Sequence, residues 1–144
     1  MVDKVNKMQE IYQGQILELA KLVRLSRPIS EPTHTGEKNN PICGDKVIIN
    51  AVIKNGIIID IHLIVRGCAL CEAGAGLLGK TAINRNMDDL ITLKDEMNGY
   101  LKNNEQPPDS NSICFEPVKK IKNRIACVLL AFDATSEMKP ITVD

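Results

Sequence analysis

The chain has no tryptophan and only two phenylalanines and two tyrosines among its 144 residues. A platform for stacking nucleic-acid bases needs aromatic faces, so none is expected. An excess of either charge is also missing. Lysine plus arginine number 18 and aspartate plus glutamate 18, which removes the electrostatic case for binding nucleic acid or a membrane surface. No apolar run approaches the roughly 20 residues that span a bilayer. The opening MVDKVNKMQE is polar, unlike the apolar centre of a secretory signal, and a cytoplasmic protein is expected. Length is not lacking. Residues 1–144 suffice for one domain that buries most of its apolar side chains without covalent staples.

What the chain does have is five cysteines, at 43, 68, 71, 114 and 127. In a reducing compartment they are not expected to form disulfides, and an odd number cannot all pair within one chain. They are then free thiols, metal ligands or nucleophiles.

Their placement depends on the elements around them. Met8, Ile11, Tyr12, Ile16, Leu19, Leu22 and Val23 recur at helical spacing, and Pro28 stops that helix. SEPTHTGEKNNP reads as a polar loop; a strand within residues 28–40 is conceivable, but nothing periodic marks it. Then the period becomes two. KVIINAVIK turns Val47, Ile49, Ala51 and Ile53 one way, and IIIDIHLIV turns Ile57, Ile59, Ile61, Leu63 and Val65 one way. Asn55-Gly56 between them suits a type I′ hairpin turn. A helix follows from Cys68 to about Arg85, with Leu70, Ala73, Leu77, Leu78 and Thr81 on one face. Asn86 reads as the N-cap of a helix reaching Leu101, with Asp88 and Asp89 in its first turn. KNNEQPPDSNS reads as a loop, Pro117 as the opening of a short helical turn, and Arg124–Thr135 as a last helix with Ile125, Val128, Leu129 and Phe132 inward. Pro140 blocks its extension. The fold class is α+β, a small antiparallel sheet with helices packed on one face.

An antiparallel hairpin sets the start of its first strand beside the end of its second. Cys43 and Asp45, around Gly44, therefore converge with Cys68 at one end of the sheet. Cys68 opens a helix, where unpaired N–H groups favour thiolate. Cys127 reaches the same point if the last helix packs its N-terminal end there. Three thiolates and a carboxylate make a tetrahedral set for Zn²⁺. Such a set leaves about two excess negative charges, and Arg124, three positions before Cys127, is placed to offset part of them. With Cys43, Cys68 and Cys127 alone, an iron–sulfur cluster is chemically allowed. Core packing remains open as well, since cysteine is commonly buried.

Cys71 lies three positions after Cys68, on the same helix face, so a redox pair is conceivable. The βαβ context of such pairs is missing, and Cys71 reads as a spare thiol near the site. Cys114 reads as packing. His62, on the outward face of its strand, and His34, in a loop, read as solvated rather than as ligands. Gly74, Gly76 and Gly79 each cost a helix roughly 1 kcal/mol relative to alanine. A close neighbouring backbone would account for that cost, and would fix the cysteine at the head of the helix.

NPICGD, RGCALCEAGAGLLGK and RIACVLLAFDAT together resemble the NifU/IscU-like iron–sulfur assembly proteins over roughly residues 8–138. The resemblance implies that Cys43, Asp45, Cys68 and Cys127 are metal or cluster ligands. Within the family it points to the SufU branch: 59 positions separate Cys68 from Cys127, Ala126 stands where the IscU branch has histidine, and Arg124 precedes the last cysteine by three. The family's first-helix Asp-His-Tyr is here Glu18, Leu19 and Ala20, and its serine-rich run is replaced by Cys71, Gly74 and Gly76.

SufU-like proteins hold zinc and accept persulfide sulfur from a cysteine desulfurase. The resemblance therefore implies a zinc-dependent sulfur acceptor, and the glycine hinge at Gly44, which lets Cys43 swing out, makes Cys43 the expected accepting thiolate. Two alternatives stand beside it. One is a non-enzymatic scaffold that builds a [2Fe–2S] cluster and passes it to recipient apo iron–sulfur proteins. The other is a structural zinc domain that only binds partners.

Overall fold

The computed structural model describes residues 2–142. A long first helix, α1 (Val2–Leu25), leads to three strands, β1 (His34–Asn39), β2 (Lys46–Lys54) and β3 (Ile57–Arg66). Helices α2 (Ala69–Ala82) and α3 (Met87–Asn103) follow, then a 3-10 segment (Ser110–Lys120), helix α4 (Lys122–Ala134) and a two-residue strand β4 (Lys139–Pro140). The sheet has the order β3-β2-β1-β4, with antiparallel neighbours. Helix α2 packs on β3, and α4 packs on β1 and β2. The architecture is α+β, as expected.

The hairpin forms as predicted. Asn55 and Gly56 take positive φ, 52° and 79°, the pair of left-handed residues that a type I′ turn requires. Val47, Ile49 and Ala51 are fully buried under the helices. On β3 the predicted face is only partly right. Val52 pairs with Asp60 but Ile53 with Ile58, so Ile59 is the extra residue of a β-bulge. The bulge inverts the alternation next to the turn. Ile58 is therefore buried, while Ile57 and Ile59 face solvent.

Strand β1 occupies HTGEKN, within the stretch read as a loop, and carries His34. It forms through backbone pairing with β2 and polar pairs across it. Thr35 Oγ1 donates to Asn50 Oδ1 at 2.9 Å, and Lys46 Nζ meets Glu37 at 3.0 Å. Pro140 is not a helix stop either. Helix α4 has already ended, and Pro140 sits in β4 opposite His34, an edge position that spares the ladder its missing N–H.

His62 is also corrected, since it is not solvated. It is buried, and its Nδ1 lies 2.9 Å from Ser26 Oγ. On α1 the buried line is Leu19, Ala20 and Val23, whereas Met8, Ile11 and Leu22 of the predicted face are exposed. Helix α2 stops at Ala82, three residues early, before Asn84 turns left-handed at φ 70°. The 3-10 segment begins at Ser110, capped by Asp109, and Pro117 lies inside it rather than at its start.

Asn86 caps α3 as predicted. Its side chain accepts from the Asp89 N–H at 2.8 Å, and the Asp89 carboxylate accepts from the Asn86 N–H at 3.2 Å. That reciprocal pair satisfies two of the donors a helix start leaves free. Asn86→Ala is expected to lower stability by about 1 kcal/mol, read from the midpoint of urea unfolding.

Candidate metal centre

Three chain segments meet at one end of the sheet. The loop joining β1 to β2 is a closed turn: Asn40 N–H donates to the Asp45 carbonyl and Gly44 N–H to the Asn40 carbonyl, both at 2.8 Å. Gly44 sits at φ 75°, a conformation that side-chain-bearing residues rarely take. The turn leaves Cys43 exposed at its tip and aims Asp45 back toward the start of α2. Cys68 is the N-cap of α2, and Cys71 lies in that helix's first turn. Cys127 arrives from the first half of α4.

The aspartate is the hub. Its Oδ2 accepts from Cys71 Sγ at 3.0 Å and from Cys127 Sγ at 3.4 Å. The ligand atoms of Asp45, Cys68, Cys71 and Cys127 all lie within 4.8 Å of one another. Cys43, two positions before Asp45, helps to hold that carboxyl low, but its sulfur stands outside the group of four. Of the expected residues, the fold thus gathers Asp45, Cys68 and Cys127 closely and leaves Cys43 at the rim. Gly67 makes the approach possible: a Cβ there would meet Asp45 Cγ at 3.0 Å and Cys71 Cβ at 3.1 Å.

The helices are held firmly behind this cluster. A Cβ on Gly74 would collide with the Val128 carbonyl of α4, and one on Gly76 with the Leu19 carbonyl of α1. Helix α2 is therefore wedged between two backbones, as its glycines suggested. Arg24 at the end of α1 grips Glu72, next to Cys71, through a bidentate pair at 2.9 and 3.0 Å.

Hydrogen bonds from the thiols, that of Cys71 first, hold the Asp45 carboxyl below the usual carboxylate range against the opposing effect of burial. Burial, followed by the Asp45 hydrogen bond, pushes the Cys71 thiol far up. Burial and the neighbouring Cys68 push Cys127 up to about 12. A bound cation would compensate such a cluster of acidic donors. Tetrahedral zinc, with bonds of about 2.3 Å to sulfur and about 2.0 Å to oxygen, sets sulfur and oxygen about 3.5 Å apart and two sulfurs about 3.8 Å apart. The two thiol–carboxylate contacts, 3.0 and 3.4 Å, lie close to the sulfur–oxygen value, and three thiols with one carboxylate are donors suited to zinc.

Arg124 is exposed and is absent from the ion pairs found among the described residues. It lines a groove of about 720 Å³ with Cys68, Leu17, Leu70 and Ile121. His34 bonds Thr33 Oγ1 at 2.8 Å, and neither histidine joins the cluster. Cys114 is core packing as predicted, fully buried and donating to the Asn111 carbonyl at 3.4 Å. Cys71, expected to be a spare thiol near the site, lies within the cluster itself, and its spacing of one helical turn from Cys68 is the signal for that place.

Comparison with known proteins gives the family and the fold. Residues 11–120 match the NifU-like N-terminal domain, a span that carries Cys43, Asp45, Cys68 and Cys71 and ends before Cys127. An iron–sulfur cluster assembly scaffold protein IscU from Thermotoga maritima is 22% identical over 129 residues, which is 88% of this chain and 91% of the relative. The crystal structure of a nitrogen-fixing NifU-like protein (N-terminal) from Brucella abortus superposes with a TM-score of 0.77 at 30% identity, covering 85% of this chain and 87% of that one. A candidate iron–sulfur cluster assembly scaffold of the SUF system from Fervidobacterium islandicum shares the fold, with a TM-score of 0.75 at 20% identity over 85% of this chain and 91% of that one. No helix among the described residues is long and apolar enough to cross a membrane. The chain belongs to the family of NifU-like N-terminal domains.

Proposed function

We propose that the protein is an iron–sulfur cluster assembly factor of the SufU type, a zinc-dependent acceptor of persulfide sulfur from a cysteine desulfurase. The observation that carries this reading is the Asp45 carboxylate receiving thiols from α2 and α4 while the exposed Cys43 stands beside it on a glycine-hinged turn. Asp45, Cys68 and Cys127 hold the metal, with Cys43 as the fourth ligand. Zinc, when bound, keeps its ligand thiols deprotonated and ordered.

The protein's own residues carry the transfer. Cys43 thiolate attacks the outer sulfur of the desulfurase persulfide. The donor's S–S bond breaks and its electron pair leaves with the desulfurase cysteine as thiolate, while Cys43 becomes the persulfide. No external oxidant or reductant is consumed. The exposed Arg124, which lines the same groove as Cys68, offsets part of the negative charge of the ligands and attracts an anionic sulfur donor.

Cys43→Ala is expected to abolish sulfur uptake when the protein is incubated with a desulfurase and isotopically labelled cysteine. Label retained at the parental level would refute the role of Cys43. The scaffold reading is favoured by the name of the Thermotoga relative. It predicts a visible absorption band after reconstitution with iron and sulfide, which a zinc protein lacks. The recipients of sulfur or cluster are apo iron–sulfur proteins.

A further inference from the structure

Four donors lie within mutual reach, and the fifth, Cys43, stands outside them. The group within mutual reach is Asp45, Cys68, Cys71 and Cys127, and it includes the thiol for which the proposed transfer has no use. Cys71 is fully buried, yet it does not behave as a packing cysteine. Cys114, equally buried, gives its thiol to a backbone carbonyl at 3.4 Å. Cys71 gives its own to the Asp45 carboxylate at 3.0 Å, the shorter of the two thiol contacts to that oxygen. The bare Gly67 keeps open the space through which aspartate and thiol meet.

Cys43, two positions before Asp45, stands under opposite conditions. It is solvent-exposed, it lies outside the group of four, and Gly44 precedes Asp45 with the left-handed backbone that bends the turn. One thiol is fixed in the wall of the site and the other is carried on its rim.

We infer that Cys71 and Cys43 are interchangeable fourth ligands around Asp45, Cys68 and Cys127, so that Cys71 closes the metal site from inside whenever Cys43 swings out to accept sulfur. The inference rests on the proposed metal-dependent sulfur acceptor and specifies how that acceptor keeps its metal. In the exchange Cys71 gives up its proton to solvent as it joins the metal, and Cys43 departs as a thiolate. The ligand set keeps three sulfurs and one oxygen throughout, with the same net charge. The metal has no reason to leave while Cys43 bears the persulfide.

Cobalt(II) titration tests this, because the near-ultraviolet thiolate-to-cobalt band grows with the number of coordinated thiolates. The parent protein, Cys43→Ser and Cys71→Ser are each expected to bind one cobalt with equal band intensity, since either thiol replaces the other. The double variant Cys43→Ser/Cys71→Ser is expected to lose about one third of that intensity, three thiolates falling to two, and to bind cobalt more weakly. A loss already complete in Cys43→Ser, unchanged by adding Cys71→Ser, overturns the inference and leaves the proposed function standing. A loss complete in Cys71→Ser alone overturns it as well, because Cys43 would then never be a ligand. A parent protein that binds no cobalt overturns both this inference and the metal-dependent function. If replacing the buried Cys71 prevents folding, Cys43→Ser and alkylation of Cys43 in the parent decide together. A full three-thiolate band in Cys43→Ser, with cobalt slowing alkylation of Cys43 in the parent, supports the exchange; a two-thiolate band, or alkylation of Cys43 that cobalt does not slow, refutes it.

Discussion

The double replacement Cys68→Ala/Cys127→Ala is expected to lower zinc affinity by at least about 100-fold while leaving the fold in place. Structural zinc binding amounts to about 10–16 kcal/mol over four ligands, or about 3 kcal/mol for each. With Cys71 available beside the four proposed ligands, a single replacement can be masked by that spare thiol. Removing two leaves Asp45, Cys43 and Cys71, one short of a tetrahedron, and one lost ligand is worth about 100-fold. Cys68 is exposed and Cys127 half-buried, so truncating them opens no large cavity in the core. Competition with a chromogenic chelator measures the affinity, and far-ultraviolet circular dichroism of the metal-free protein checks the fold. An affinity within tenfold of the parent would mean that these two elements do not share a metal.

The second large effect concerns the scaffold behind the ligands. Gly74→Ala and Gly76→Ala are each expected to destabilise the protein by about 3 kcal/mol or more, at the upper end of overpacking costs. At about 2–4 °C per kcal/mol for a chain of this size, the melting temperature should fall by about 10 °C. Alanine is otherwise the better helix former by roughly 1 kcal/mol, so a net loss measures the backbone collision. The obstacles are the Val128 and Leu19 carbonyls, which belong to helices and cannot turn aside as a side chain can. Gly79 lies in the same helix and supplies the control. A methyl there meets only Leu63 Cδ1, at 2.9 Å, the tip of a flexible side chain. Gly79→Ala should stay within about 1 kcal/mol of the parent, the helix preference offsetting the small shift of Leu63. Differential scanning calorimetry separates the three. Equal melting temperatures for all of them would show that α2 is not wedged between α1 and α4.

These two results bear on how much of the molecule could be read from residues alone. The Asn55-Gly56 hairpin was legible because one local rule, positive φ at two successive positions, coincides with alternation on both sides. The inward residues of α4 and the cap at Asn86 were legible for the same reason, since periodicity and end chemistry agree. The bulge at Ile59 was not, because IIIDI is apolar in either phase and only the pairing partner decides which isoleucine is buried. Strand β1 was invisible because it gains little from burial. His34–Asn39 has mostly polar side chains, and what orders them is the ladder with β2 and pairs such as Thr35 with Asn50.

At the site, topology placed Cys43, Asp45 and Cys68 at one sheet end, and the hairpin argument sufficed for that. The reach of Cys127 depended on how α4 docks, which the small residues of α2 hinted at without specifying. The distinction between Cys71 and Cys43 was beyond the sequence. It rests on which thiol the first turn of α2 directs at the Asp45 carboxylate and which the β1–β2 turn carries outward, and both are matters of ångströms rather than of spacing.

The central claim is that the β1–β2 turn, the head of α2 and the first half of α4 together surround one metal ion. X-ray absorption at the zinc edge, on protein carrying one equivalent of zinc, tests it most directly. Three sulfurs at about 2.3 Å and one oxygen at about 2.0 Å are the predicted shell. A shell of nitrogen and oxygen alone, or one with a single sulfur, would contradict it.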